Sequence, residues 1–344
     1  MIYSNFAKKI GAYSAYAIGG YLVGKMIMRA RRTFTLNNKV VLITGGTRGL
    51  GLVLARRIAQ EGGKVVVCGR SNESLEEASR DLEKITSKHY AMPCDITDKQ
   101  QVKQLIQRIN VEVGTVDVLI NNAGIIQVGP MELMNDEDYQ SAMDVHTWGA
   151  LNLINEVLPG MKRKKVGRII NIISIGGMIS YPHLLPYNVS KHALSGLSKG
   201  VAAEINERNI RVTSVYPGLM RTGSPRNVDV KGQHKKEYAW FKILDSLPGI
   251  SMNVDKAASR IVEALKRGDQ TLILSFPAKI AAFLQVLAPD FTISMFKLDN
   301  YFLPSEPRVA DGSQIRKGYE SESELSRSIL TEKTDEAAVE NLER

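Results

Sequence analysis

The sequence predicts an α/β fold built on a parallel sheet of about seven strands, and three observations carry that prediction. Between residue 39 and about residue 274, short runs rich in Val and Ile alternate with longer stretches whose apolar residues recur at helical spacing. The first of those runs passes through a glycine-rich loop straight into a helical pattern. The polar turn residues suited to chemistry follow the strand candidates, on the edge where a parallel sheet places its ligands. Together they imply a Rossmann-type, doubly wound sheet with helices on both faces.

Seven segments read as strands: KVVLIT (39–44), KVVVCG (64–69), HYAMPC (89–94), VDVLINN (116–122), GRIINIIS (167–174), IRVTSVYP (210–217) and TLIL (271–274). The amphipathic stretches LGLVLARRIAQEGG, NESLEEASRDLEKI and KQQVKQLIQRINVEV lie between them, which makes βαβ units. Residues 36–275 therefore form one large α/β domain, flanked by an N-terminal segment (1–35), an apolar segment (276–304) and a polar tail (305–344) expected to be disordered.

Composition narrows the class. Apolar residues make up 44% of the chain and aromatic residues only 6%, as in a core of Val, Ile, Leu and Ala. Cys68 and Cys94 are too few and too isolated for a disulfide framework or a metal site, and read as small buried residues in a reducing compartment. The net charge of +9 is concentrated in residues 1–40, which carry seven basic side chains from Lys8 to Lys39 and no acidic one. No recognition helix or stacking motif accompanies that charge, so nucleic acid is excluded in favour of an anionic membrane surface. Residues 10–24 are uncharged and flanked by Lys8, Lys9 and Lys25, and they read either as a membrane anchor or as a helix docked elsewhere. The expected location is cytoplasmic, with membrane association through this segment.

The loop TGGTRGLG (44–51) lies between the first strand and a helix. Gly45, Gly49 and Gly51 let the backbone turn tightly and approach a diphosphate, and the helix N-terminus offers unpaired N–H groups to it. Thr47, Arg48 and Leu50 complete that expected cradle. An acidic residue after the second strand would bind a ribose 2′-OH, but Gly69 and Arg70 stand there. Arg48 and Arg70 suit a 2′-phosphate, which favours NADP(H) over NAD(H). Asp95 and Ile96 follow the third strand, and the turn containing Asn122, Ala123 and Gly124 follows the fourth; both are candidate walls of the cofactor cleft.

Ser174 ends the fifth strand, and YNVSK begins at Tyr187. Pro186 suits a helix start, which puts Tyr187 and Lys191 at i and i+4 on one helical face. A tyrosine is a poor acid or base at neutral pH unless nearby cations favour its phenolate, and an ammonium one turn away is such a cation.

With TGGTRGLG, NNAG, Ser174, YNVSK and YPGLMRT in this order, residues 39 to about 274 resemble the short-chain dehydrogenase/reductase family. The resemblance implies that Tyr187 exchanges a proton with the substrate oxygen, that Lys191 lowers the tyrosine pKa and binds the nicotinamide ribose, and that Ser174 holds the substrate oxygen. It also implies that Pro217, Gly218 and Thr222 contact the nicotinamide end. The family carries an asparagine, the holder of a relay water, where DVHTWG places His146. Four readings follow: imidazole holds that water with a pH dependence an amide lacks, it touches substrate, the relay is absent, or the histidine is purely structural.

Residues 219–252 correspond to the family's variable lid over the substrate. Met220, Tyr238, Trp240, Phe241 and Leu244 suggest an apolar slot, and Arg226, Lys231, Lys235 and Lys236 a basic entrance. The leading expectation is reduction of a lipophilic carbonyl compound to its alcohol, as in 3-ketoacyl or 3-ketosphinganine reductases. Steroid, retinoid or xenobiotic carbonyls are the alternative substrates. A nucleotide-binding sensor or scaffold, or a membrane tether, is the alternative class. Family members pair through helices, so a homo-oligomer is expected.

Overall fold

The computed structural model describes residues 34–305 and 314–343, together with 19, 20 and 24. The anchor expected at 10–24 therefore falls outside the described residues, apart from those three glycines. Among the described residues no helix is long and apolar enough to cross a membrane.

The chain alternates strand and helix: β1 (Val40–Thr44), α1 (Gly49–Gln60), β2 (Lys64–Gly69), α2 (Asn72–Glu83), β3 (His89–Pro93), α3 (Lys99–Glu112) and β4 (Val118–Asn121). After the short β5 (Gln127–Val128) come α4 (Asp136–Met143), a single widened π turn (Asp144–Trp148), α5 (Gly149–Lys164), β6 (Gly167–Ile172), α6 (Leu185–Glu204) and β7 (Ile210–Tyr216). Beyond β7 lie β8 (Met220–Arg221), β9 (Asp229–Val230), α7 (His234–Ser246), β10 (Met252–Asn253), α8 (Val254–Arg267) and β11 (Thr271–Ile273).

Seven strands form one parallel sheet in the order β11-β7-β6-β4-β1-β2-β3. They are the seven expected segments, each within two residues at its ends. Every residue of β1, β4 and β6 is buried, because helices cover both faces. Leu52, Ile58, Leu75 and Ile261 of α1, α2 and α8 fill one side. Val102, Ile106, Leu153 and Val157 of α3 and α5 fill the other. Buried polar groups cross the strands in one chain: Asn121 donates to Asn171 (2.8 Å), Asn171 to Ser198 (2.9 Å), and Ser198 and Ser214 share a 2.7 Å bond. The strand order reverses between β1 and β4, so the glycine loop and the NNAG turn leave the sheet side by side.

The segment 276–304 forms two helices, α9 (Phe276–Leu287) and α10 (Pro289–Phe302), and Phe296 packs edge-on to Tyr181, 5.4 Å between ring centroids. The expectation of a disordered tail fails from residue 314 onward. Here β12 (Arg316–Lys317) pairs antiparallel with β9, and α11 (Glu332–Glu340) packs on α7. Acidic composition suggested disorder, but the acidic groups have fixed partners. Lys242 of α7, buried, donates to Glu322 and Asp335 (both 3.0 Å), and Ser246 bonds Thr334 (2.6 Å). Cys68 and Cys94 are free and buried between sheet and helices.

Candidate active site

The switch point opens into one continuous cavity of about 930 Å³ along the carboxyl ends of the strands. All the residues assigned above to cofactor or reaction line it, with the exception of Gly49. Thr44 ties the two loops together. Its hydroxyl oxygen accepts from the N–H groups of Asn122 (2.9 Å) and Ala123 (3.0 Å), while Asn122 Nδ2 donates to the carbonyls of Thr44 (3.0 Å) and Gly45 (3.1 Å). A Cβ on Gly51 would strike the Gly45 carbonyl oxygen, and one on Gly45 would lie 2.9 Å from Ala123 Cα. These glycines are therefore required by backbone-to-backbone approach. The cradle they leave at the α1 N-terminus fits the diphosphate of a nicotinamide dinucleotide. Arg48 and Arg70 are exposed at its rim.

At the other end of the cavity, Tyr187 and Lys191 project from the first turns of α6, and Ser174 sits at the end of the β6 segment. The Ser174 hydroxyl accepts from the Gly176 N–H (3.0 Å), and its influence on Tyr187 favours the phenolate. Burial pushes the Tyr187 phenol up to about 12, with Ser174 opposing and the Asp245 carboxyl adding to the rise. Burial brings the Lys191 ammonium down to about 7. Its Nζ donates to the Ile172 carbonyl (3.1 Å) and lies 5.5 Å from the Tyr187 ring centroid. The expected lowering of the tyrosine pKa is thus outweighed by desolvation in the protein alone.

His146 lies in the π turn, edge-on to Tyr187 with ring centroids 5.5 Å apart. Both ring nitrogens are engaged. The Ile125 N–H donates to Nε2 (3.1 Å), so Nε2 carries no proton. Ser190 Oγ donates to the Tyr187 carbonyl (2.9 Å) and is left to accept from Nδ1–H (2.7 Å). Burial, and then the Lys191 ammonium, hold the imidazole well below its ordinary pKa. These contacts make His146 a bridge between the NNAG turn and α6. Gly124 is small for the same reason, since a Cβ there would lie 2.9 Å from His146 Nε2.

The lid differs from expectation on its charged side. Met220, Trp240, Phe241 and Leu244 line the cavity, but Tyr238 is fully buried elsewhere, hydrogen-bonded to Glu322 (3.3 Å). None of the four basic residues lines the cavity. Lys231 is buried in an ion pair with Asp138, because the β5–β9 pairing turns it inward, and Lys235 and Lys236 face solvent. The lid is held to the rim by Glu237, which accepts from Trp240 Nε1 (2.8 Å) and pairs with His183 Nδ1 (2.9 Å).

A family model described as short chain dehydrogenase matches residues 39–231. The chain belongs to the short-chain dehydrogenase/reductase family. It is 33% identical over 272 residues to the fatty acyl-CoA reductase of Acinetobacter baylyi, covering 78% of this chain and 87% of that one. It is 32% identical over 279 residues to dehydrogenase/reductase SDR family member 7B of Mus musculus (79% and 84%). Among solved structures, a gluconate 5-dehydrogenase from Burkholderia cenocepacia in complex with NADP and tartrate superposes with a TM-score of 0.63 at 26% identity, covering 73% and 98%. This short-chain dehydrogenase/reductase is accordingly an NAD(P)-dependent oxidoreductase.

Two acidic residues of the enzyme's cavity escape sequence reasoning. Asp245 is buried on the lid helix, accepts from the Met220 N–H (3.1 Å) and is raised to about 7 by burial. A lone acid on an otherwise apolar lid face was its only signal. Glu343 reaches the cavity from the tail, and nothing in the sequence marks it.

Proposed function

We propose that this enzyme reduces the carbonyl of a lipophilic substrate, of the 3-ketoacyl or 3-ketosphinganine kind, with NADPH as the reductant. The observation that carries this reading is that Ser174, Tyr187 and Lys191 line one cavity where the cofactor trough meets an apolar wall of Ile179, Trp240, Phe241 and Leu244. When bound, the reduced dinucleotide supplies the hydride. Tyr187, protonated throughout the neutral range, gives its proton to the carbonyl oxygen as negative charge develops there. Ser174 donates to the same oxygen and fixes the substrate relative to the phenol. Lys191, close to half charged at neutral pH, stabilises the phenolate that remains.

Arg48 and Arg70 at the rim support a 2′-phosphate, and the Burkholderia relative in complex with NADP is in keeping with it. The Acinetobacter fatty acyl-CoA reductase supports a long apolar substrate. The test is NADPH oxidation with a panel of long-chain ketones and 3-ketoacyl thioesters. Wild type should turn over at least one of them and Tyr187→Phe should lose about 10³-fold in kcat while still binding NADPH. Tight NADPH binding with no carbonyl reduced, and no difference between the two proteins, returns the chain to the class of nucleotide-binding scaffolds.

A further inference from the structure

Residues 341–343 lie across the N-terminus of α1, on Gly49, which does not line the cavity. The Gly49 N–H donates to the Asn341 carbonyl (2.9 Å). Arg56 of α1 grips the same segment, donating to Asn341 Oδ1 (3.2 Å) and to the Glu340 carbonyl (2.9 Å). Leu342 adopts a left-handed conformation (φ 55°), which ends α11 and turns Glu343 back over the loop. A Cβ on Gly223 would collide with the Ala338 backbone, so α11 sits close against the lid as well.

The Glu343 side chain is buried, 5% exposed, and enters the cavity. Its carboxylate stands 3.4 Å from Arg48 Nε and accepts from Asn227 Nδ2 (2.6 Å); Arg48 in turn donates to Asn227 Oδ1 (3.0 Å). Arg48 is one of the two guanidiniums available to a 2′-phosphate, and the carboxylate offers it the same kind of oxygen acceptor.

We infer that Glu343 is a specificity-determining residue of the cofactor site: its carboxylate competes with the 2′-phosphate of NADP(H) for Arg48, and so reduces discrimination between NADPH and NADH. The inference rests on the proposed binding of NADP(H) at this cradle. A guanidinium engaged by one anion must give it up to bind another at full strength. NADH has no 2′-phosphate and loses nothing at Arg48. Where the carboxylate holds Arg48 about nine-tenths of the time, the apparent NADPH affinity is about tenfold weaker than the intrinsic one.

The charged groups facing Glu343 are Arg48 before α1, Arg226 in the turn 224–227 and Asp245 on α7. Burial raises the Glu343 carboxyl to about 7, with the arginines and Asn227 opposing, so the competition is best read at pH 8, where the carboxylate prevails.

The experiment is a fluorescence titration of NADPH and NADH at pH 8 on the full chain, as wild type, Glu343→Ala and Glu343→Gln. Glu343→Gln keeps the shape and removes the charge, which guards against a packing effect in the alanine variant. Both variants should bind NADPH about tenfold more tightly, with NADH changed less than twofold. NADPH binding that is unchanged or weaker, or an equal shift for both nucleotides, overturns the inference. Failure of every protein to bind NADPH overturns instead the cofactor reading on which it rests.

Discussion

Replacing His146 with Asn tests whether the imidazole is a neutral strut or a titrating relay. The folded protein keeps His146 unprotonated well below its ordinary range, because the ring is buried and Ile125 donates to Nε2. The unfolded chain takes up that proton near pH 6.5. As pH falls below 6.5 the unfolded state therefore binds one more proton than the folded state, and stability is lost. Between pH 7.5 and 5.0 this single group costs at most about 2 kcal/mol, the limit for an imidazole that stays neutral in the folded state throughout. Asn cannot titrate, so the variant should be spared that loss. It should also start less stable at pH 7.5, by about 1–3 kcal/mol, because a shorter side chain cannot satisfy both Ile125 and Ser190. Urea unfolding of both proteins at the two pH values measures the difference of differences, in which every other titrating group cancels. Parallel acid losses would refute the assignment. So would a kinetic limb near pH 6.5 present in wild type and absent from His146→Asn.

Three further outcomes follow from the site. Gly51→Ala pushes a Cβ into the Gly45 carbonyl oxygen, and nucleotide titration should show NADP(H) affinity reduced by roughly 100-fold, with a lower melting temperature. Arg70→Ala should weaken NADPH by about tenfold and leave NADH nearly untouched, seen as a change in the ratio of the two dissociation constants. Lys191→Met should lose turnover yet melt higher than wild type at neutral pH, because burial brings the ammonium down to about 7. Between 7 and the ordinary lysine value the folded state binds fewer protons than the unfolded one, so wild-type stability rises with pH there; the methionine variant should lack that rise.

Which parts of this molecule were legible in the sequence follows from the range of the interactions. The strands announce themselves because β1, β4 and β6 are buried on both faces and so consist of unbroken apolar runs. The glycine loop and YNVSK are legible because their chemistry is set within one turn of chain. Ser190, inside YNVSK, was passed over: its bonds to His146 and to the Tyr187 carbonyl depend on how α6 meets the π turn. The pairing of Lys231 with Asp138, and of Lys242 with Glu322 and Asp335, joins residues about 80 to 93 positions apart. Such partners leave no periodic trace, and a local reading sees solvated lysines and a disordered acidic tail. Asp245 and Glu343 are hidden for the same reason.

The contact between Arg56 and Asn341 spans 285 residues. Its consequence concerns the order in which the chain is made. All seven strands of the main sheet have emerged once β11 is synthesised, whereas residues 341–343 follow on the order of ten seconds later at ordinary rates of synthesis. During that interval the glycine loop is uncovered, and a nucleotide meets Arg48 before Glu343 does. A nascent chain stalled ahead of Asn341 should therefore offer a nicotinamide nucleotide an uncovered glycine loop and an unpaired Arg48, read as tighter binding to the stalled chain than to the full one.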